Sequence, residues 1–425
     1  MSAFGRRRFT CATVASFLTL VGGNVAAMTQ SQKVSSTMNK KRLWSDPHDG
    51  VRVSPRAYAR RQRAGQRAAR AFTHHVARGA PRPPGGTLSP KWQVDLGPDF
   101  RPQRLLAGPR GVVACGVFEY HEGRCRIVRW SGQVVGDVPR EGPGAALDRH
   151  GAHLLTTHEG KPAVYRLSNG HKIGGLPVLD QLVEIHRFSS FYLFCKKDVP
   201  SLHSHWPTEV GAELLFLPTV TARHLSGMRP VIGAFRVGDI VSNGEVIRGA
   251  AGPSGIVLAT EHGLQWTNWM LLPTKLVRMS TRPVAIAVGP DEDVVLVTKI
   301  EDRPHLLVFA PDGSERARVV LPEAEVSGLF IGEDNLAVVS GDGYVRAFDM
   351  NASVAWALSR QGRTAAVALD DDAVMLEHDL GLWVRERSGT MRQIWTAPAP
   401  LATSPVPFRH RWYVATTDTL YALRS

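Results

Sequence analysis

Acidic residues are almost absent from the first 90 positions of this chain. That segment holds 16 lysines and arginines but only two acids, Asp46 and Asp49, whereas the remainder holds 35 basic and 36 acidic residues. The net charge of +13 therefore resides in an N-terminal arm, and the rest of the chain is close to neutral. This distribution argues against a uniformly basic nucleic-acid-binding domain and predicts a basic segment attached to an ordinary globular body.

The chain also lacks an apolar run long enough to cross a bilayer, because the apolar stretch near its start covers only about residues 11–21. Residues 1–27 combine a basic start, this apolar stretch and small residues at their end, which is the pattern of an export signal. Arg6, Arg7 and Phe9 fit the twin-arginine pattern. We therefore expect a periplasmic or secreted protein of a bacterial envelope, with Met28 and Met38 as alternative starts.

Cysteine is scarce, and one of the four cysteines, Cys11, falls within the predicted signal. Cys115 and Cys125 flank the turn of a predicted hairpin, where folding back would bring their sulfurs together. A disulfide and a pair of free thiols both stay open as alternatives. Cys195 lies in an apolar stretch and is predicted to be a buried small residue.

Recognised catalytic motifs are missing as well. The sequence contains no phosphate-binding loop, no nucleophile elbow and no zinc-protease helix motif. No catalytic residue and no cofactor are predicted from the residues themselves.

A short phrase, one turn-type or polar residue followed by four mostly apolar ones, recurs eight times. Successive phrases are 37 to 42 residues apart, except for one interval of 65. A second strand-like run follows most phrases and another precedes each of them. The phrases begin at Gly111, Gly151, Ser190, Gly255, Asp293, Asn335, Asp372 and Arg411.

Short strands repeated at a period near forty indicate an all-β protein, a β-propeller of four-stranded blades. Eight phrases predict eight blades, with seven as the alternative. The strand-like segment at 89–97 is expected to pair with the last strand of the chain, which would leave no sheet edge exposed. The predicted domains are the signal at 1–27, a basic arm and Pro/Gly linker at 28–88, and the propeller at 89–425.

Part of the repeat resembles a known family. The segment GYVRAFDMNASVAW, from Gly343 to Trp356, resembles the repeat of pyrroloquinoline-quinone-type propellers, although Asn351-Ala352 replaces the usual Thr-Gly. A looser copy of the repeat contains Gly389 and Trp395. A third copy would be formed by the last strands of the chain, with Trp92 of the segment 89–97 as its tryptophan. The resemblance implies that these tryptophans dock between blades and that the glycines form turns.

The resemblance covers the C-terminal third well and the rest mainly by period. Quinone-dependent members of the family are longer and carry adjacent cysteines or a haem-attachment motif, and this sequence has neither. It is therefore more similar to non-enzymatic members, and we expect a monomeric protein-binding or scaffold module with an unidentified protein partner. The alternatives are a quinone- or metal-dependent periplasmic enzyme and a cytoplasmic propeller whose basic arm binds nucleic acid.

The long interval adds about 25 residues to the third predicted blade, over 196–227. His203 and His205 alternate along it and are weak candidates for a metal site. Together with Trp206 they form the predicted contact surface, because insertions in a propeller usually lie on loops.

The basic arm contains a segment rich in Ala, Arg and Gln, over 54–78. It places Tyr58, Gly65, Ala69, Phe72 and Val76 on one face at helical spacing. We expect either a helix that docks on an anionic membrane surface or an acidic partner, or a disordered tether. Nucleic-acid binding would require the chain to stay in the cytoplasm.

Overall fold

The computed structural model describes residues 44–45, 52–53, 55–76 and 80–424, with fourteen internal gaps in the last range. The gaps are 119–121, 141–143, 149–150, 159–160, 176–181, 189–190, 197–209, 217–234, 242–245, 271, 281, 323–324, 333 and 379. The chain divides into two compact units, Met1–Arg60 and Arg61–Ser425. The first unit contains the short paired strands β1 (Trp44–Ser45) and β2 (Arg52–Val53).

The predicted helical segment forms α1 (Pro55–Val76). The helix begins with a proline, which is favoured at the first helical position because the N–H that it lacks would have no partner there. Within the second unit, Gly65 is buried and Phe72 is half-buried on the side predicted to be apolar. Ala68, which was not predicted to lie there, is fully buried. No helix among the described residues has both the length and the apolar character that a membrane span requires.

The Pro/Gly segment after α1 is packed against the sheets rather than extended as a free linker. The carbonyl of Pro81 accepts a hydrogen bond from the Asp370 N–H, and Arg392 donates to the Pro84 carbonyl at 2.7 Å. Leu88 is buried in the apolar core. Proline has no backbone N–H to donate, so Pro81 and Pro84 contribute only acceptors to these contacts.

Almost all of the remaining described chain forms eight antiparallel sheets, which we number by their order in the sequence. Sheet 1 contains β4 to β7 (Phe100–Gly108, Gly111–Phe118, Glu122–Arg129, Val134–Pro139). Sheet 2 contains β8 to β11 (Ala146–Leu147, His153–His158, Lys161–Arg166, Lys172–Gly175). Sheet 3 contains β12 to β15 (Leu182–Phe188, Phe191–Lys196, Val210–Phe216, Phe235–Val241). Sheet 4 contains β16 to β19 (Val246–Gly252, Gly255–Thr260, Gly263–Asn268, Pro273–Arg278).

The other four sheets continue the series. Sheet 5 contains β20 to β23 (Arg282–Val288, Val294–Ile300, Arg303–Phe309, Glu315–Val320). Sheet 6 has three strands, β24 to β26 (Val326–Ile331, Ala337–Phe348, Val354–Arg363). Sheet 7 contains β27 to β30 (Ala365–Ala368, Val374–His378, Gly381–Arg385, Met391–Thr396). Sheet 8 contains β31 to β33 (Val406–Phe408, Arg411–Ala415, Thr419–Arg424) together with β3 (Ser89–Asp95), and a single 3-10 turn lies at Asp370–Asp372.

The eight recurring phrases form the second strand of the eight sheets, in order. In the second strands of the other seven sheets, leaving sheet 3 aside, most apolar side chains are buried because the core lies between neighbouring sheets. One cluster, for example, joins Leu105 and Val128 of sheet 1 to Tyr413 and Leu420 of sheet 8. The repeat in the sequence is therefore a repeat of sheets packed face to face.

The long interval is divided by a strand and is not a single inserted loop. β14 lies inside the segment 196–227 and pairs with both β13 and β15. The extra residues therefore flank β14 on both sides.

The strand predicted ahead of the first repeat is β3, and it pairs antiparallel with β33. The register places Ser89 opposite Arg424 and Asp95 opposite Thr419. Residues more than 300 positions apart in the sequence therefore complete the eighth sheet.

The same tight turn joins the last two strands of sheets 1, 5, 6 and 7. Its fourth residue has a left-handed backbone, with φ of 88° at Gly132, 80° at Gly313 and 88° at Gly389. Ala352 occupies this position in sheet 6 with φ of 59°. The turn geometry is therefore retained where the usual glycine is missing, at the cost that an L-residue bears in this region.

We expect Gly132→Ala to destabilise the protein more than Gly389→Ala. Both changes place a side chain on a backbone with φ of 88°, which costs about 1 kcal/mol. A Cβ at Gly132 would also lie 3.2 Å from the Trp92 ring, whereas at Gly389 the nearest atom is 3.7 Å away, on a flexible arginine. Urea unfolding would measure both free energies.

Gly85→Ala is the matched control, because an added Cβ meets nothing within 4 Å there and the backbone is not left-handed. It should change the free energy of unfolding by less than about 0.5 kcal/mol. Equal losses at Gly132 and Gly389 would show that the close approach of an added Cβ to the Trp92 ring does not lower the free energy of unfolding.

Candidate functional site

A cavity of about 620 Å³ lies along the first strands of several sheets. Its walls come from β4, the segment around β8, β27 and the segment that leads into β31. Most wall residues are small or apolar, and one arginine is among them. The lining includes Arg104, Leu105, Ala146, Val367, Ser404 and Val406. The volume is within the usual range for small-molecule and peptide-anchor sites, about 300–1,000 Å³.

A β-bulge positions the arginine of the cavity. The pairing between β4 and β5 shifts register between Pro102 and Arg104, so Gln103 is an extra residue in β4. The first strand of sheet 4 shifts at the corresponding point, between Val246 and Arg248. A bulge redirects the side chains that follow it, and here the following residue is an arginine in both sheets.

The two equivalent arginines differ in their partners. Arg248 donates from Nε to the Val284 carbonyl of the next sheet at 2.9 Å. Arg104 is exposed, and it has no hydrogen bond or ion pair with any residue that the structure describes. Arg104 therefore lines the cavity with a guanidinium that can bind a ligand.

Arg140 supports the cavity from behind. Its side chain is buried and donates from Nη2 to Gln103 Oε1 at 2.8 Å and to the Gly116 carbonyl at 3.2 Å. These bonds hold the bulged residue in place beside Arg104. A second positive charge is thereby fixed near the cavity, which strengthens the attraction for an anion.

Chemically, the cavity lining combines apolar side chains with polar surface, and it includes the arginine Arg104. Arginine binds carboxylates and phosphates through paired N–H donors, and apolar walls bury aliphatic or aromatic groups. The arrangement suits a ligand that has both, such as an acidic residue or a carboxyl terminus in an extended peptide.

The predicted cysteine pair lies directly opposite across β5 and β6, next to this region. Cys125 donates to Cys115 with the two sulfurs 2.9 Å apart, and both thiols are free and fully buried. The hydrogen bond from Cys125, helped by the charges of Arg140 and Arg104, lowers the pKa of Cys115. Burial raises the pKa of Cys125 well above its usual value.

The tryptophans assigned to blade docking all lie at junctions between sheets. Trp92 donates from Nε1 to the Trp130 carbonyl of sheet 1 at 2.9 Å. The Arg385 guanidinium of sheet 7 lies 4.3 Å from the ring centre of Trp356. Trp395 packs 5.3 Å from the ring of Tyr421 in sheet 8.

Of the two glycines named with these tryptophans, Gly389 lies in a turn, whereas Gly343 lies within a strand, where the pairing of β25 with β26 shifts register. Gly343 has φ of 79° inside the long strand β25, and Gly389 has φ of 88° between β29 and β30. Both angles are in the region that glycine adopts without strain.

Several predicted residues lie outside the described part of the chain. These are the signal residues Arg6, Arg7 and Phe9 and the insertion residues His203, His205 and Trp206. Within the described ranges, no group of three or more His, Cys, Asp or Glu side chains could hold a metal ion.

No protein-family model matches this chain, and no curated protein matches it significantly. Solved structures are similar to it. They include Sqt1 from Saccharomyces cerevisiae, with 10% identity, a TM-score of 0.55 and coverage of 80% of this chain and 99% of that one. The Dos1 propeller has 8% identity, a TM-score of 0.57 and coverage of 80% and 96%. BamB from Moraxella catarrhalis has 13% identity, a TM-score of 0.49 and coverage of 80% and 98%.

Identities this low show the fold alone. The β-propeller fold predicted from the repeat is confirmed by the likeness to the Dos1 propeller and by the antiparallel sheets.

No sequence motif indicates the residues that form the cavity. Arg104 lies in the run FRPQRLLAG, which precedes the first phrase and shows no catalytic spacing. A usable signal was present, because Arg104 and Arg248 occur at the same distance before a glycine that ends the first strand, Gly108 and Gly252.

We expect Cys115 and Cys125 to form a disulfide when the protein is exported. The two thiols would lose two protons and two electrons to the disulfide of a periplasmic oxidoreductase, and their sulfurs need to approach by less than about 1 Å. Protein from the envelope fraction, denatured and alkylated, should show this pair as one linked, unalkylated peptide in a mass spectrum.

The matched control is Arg6→Ala combined with Arg7→Ala, which should retain the chain in the reducing cytoplasm. In that variant both cysteines should be alkylated. Alkylation of both cysteines in the exported protein would contradict the predicted disulfide.

Proposed function

We propose that this chain is a non-enzymatic, protein-binding scaffold propeller of the bacterial cell envelope. In this proposal the eight sheets are eight blades of one ring, and the pairing of β3 with β33 closes it. The repeat at Gly343–Trp356 supports kinship with the pyrroloquinoline-quinone-like propellers.

The cavity beside Arg104 carries the proposal of a protein partner. Its volume of about 620 Å³ can hold one or two side chains of an extended segment. Arg104 supplies an unpaired cation and the apolar walls supply burial, which is the usual combination at an interface anchor. We infer that an acidic, extended segment of the partner enters here.

Location in the envelope rests on two sequence features. Residues 1–27 have the pattern of an export signal, with Arg6 and Arg7 as its twin arginines. The paired thiols Cys115 and Cys125 are suited to an oxidising compartment.

Photo-cross-linking in the native cells would test the partner. Replacing Ser404 with the photoreactive residue benzoylphenylalanine places the probe in the cavity wall, and illumination should trap one defined partner. The same replacement at Val320, which is 51% exposed on the outer strand of sheet 5, should trap none. Trapping at both positions or at neither would contradict the proposed site.

Arg104→Glu should reduce cross-linking through Ser404 by at least about 10-fold, because reversing a charge at a desolvated contact opposes an acidic partner. Arg110→Glu changes an exposed arginine that is not part of the cavity lining and should leave the yield unchanged. A partner trapped equally by both variants would show that the bound segment is not acidic.

A further inference from the structure

The outward side of helix α1 is a stripe of arginines. Arg63, Arg67 and Arg70, all in the second unit, are exposed and recur at spacings of four and three residues. At about 1.5 Å per residue the stripe extends roughly 10 Å along the helix.

The opposite side of α1 is already occupied. An added Cβ at Gly65 would lie 2.1 Å from the Trp269 carbonyl oxygen, so only glycine permits this approach. Ala68 is fully buried, and the Phe72 ring lies 5.5 Å from the Trp269 ring. Trp269 is itself anchored in sheet 4, because its Nε1 donates to the Pro253 carbonyl at 2.8 Å.

This packing decides how the helix can meet a partner. A basic amphipathic helix normally binds a membrane by inserting its apolar face among the acyl chains. Here Gly65, Ala68 and Phe72 face sheet 4 and cannot insert while the helix stays docked. Any contact made by the stripe must therefore be electrostatic and must occur at the level of charged groups.

The exposed residues also indicate the chemistry of the partner. The described exposed positions of α1 are arginines, one glutamine and one alanine, without a large apolar or aromatic side chain. Arginine anchors at the centre of a specific protein interface usually lie among apolar and aromatic side chains, which the exposed side of α1 does not offer at its described positions. Guanidinium groups alone suit an array of phosphates, which each of them can bind through two N–H donors.

We propose that the arginine stripe of α1 docks the protein on the phosphate headgroups of an anionic membrane. A straight ridge of cations can touch a planar array of phosphates along its whole length. The export-signal pattern of residues 1–27 favours a membrane over a nucleic acid, which would require the chain to stay in the cytoplasm. This inference goes beyond the binding of a protein partner and does not depend on the cavity.

Sedimentation of the full-length protein with lipid vesicles would test the inference. The wild type should bind vesicles of mixed phosphatidylglycerol and phosphatidylcholine and should be released by high salt. Vesicles of pure phosphatidylcholine, which carry no net charge, measure any binding through the apolar stretch at about residues 11–21. Arg63→Gln, Arg67→Gln and Arg70→Gln together should weaken binding to the anionic vesicles about 100-fold, at about fivefold for each arginine.

The control removes the same charge elsewhere, with Arg101→Gln, Arg110→Gln and Arg278→Gln, three exposed arginines outside the helix. It should retain most of the wild-type affinity. If both triple variants weaken vesicle binding equally, the stripe is not the docking surface. Binding would then depend only on the net charge of the protein. Salt-resistant binding of the wild type would overturn the electrostatic mode.

A duplex DNA competitor distinguishes the two sources of phosphate. If DNA binds more tightly than anionic vesicles and the helix triple variant loses that binding, the lipid assignment is wrong. Thermal unfolding of each variant establishes that it is folded, and the salt response of the wild type tests the inference without any variant. A negative result in these tests would not change the cross-linking expected through Ser404. The membrane proposal and the protein-partner proposal can therefore be rejected independently.

Discussion

Hydrogen bonding between β3 and β33 is the constraint on which the rest of the structure depends. An isolated seven-residue strand has no stability of its own in water, and a three-stranded sheet 8 would leave β33 as an open edge. The pairing also brings Trp92 to the Trp130 carbonyl, which ties sheet 8 to sheet 1. The apolar cluster shared by sheets 8 and 1, which includes Val94 and Tyr413, lies at that connection.

Much of this architecture could be predicted from the sequence because it repeats. Each apolar phrase became a second strand, since four consecutive apolar residues after a turn residue suit a strand buried on both faces. The bounds of α1 were equally accessible, because Pro55 and the Pro/Gly segment mark its two ends. These features depend on local chemistry that a single sequence displays.

The rest depends on contacts between distant segments. Nothing local in the run around Arg104 shows that a bulge directs it toward a cavity shared with β27 and β31. The same holds for Ala68, which is fully buried, and for Pro81 and Pro84, whose carbonyls accept hydrogen bonds from Asp370 and Arg392. A single sequence therefore predicts the secondary-structure elements and the period of the repeat. It does not predict the side-chain positions that depend on packing between distant elements.

The register of β3 on β33 has a mechanical consequence. Ser89 lies opposite Arg424, so the chain enters and leaves this pair of strands at the same end. A pull on both flanks would peel the ladder open one residue pair at a time, which resists force far less than shearing all pairs together. The contacts of Pro84 and Leu88 with sheet 7 lie ahead of this ladder and would take up the tension first. The Pro/Gly segment would thus bear the load before the ladder between β3 and β33 begins to open.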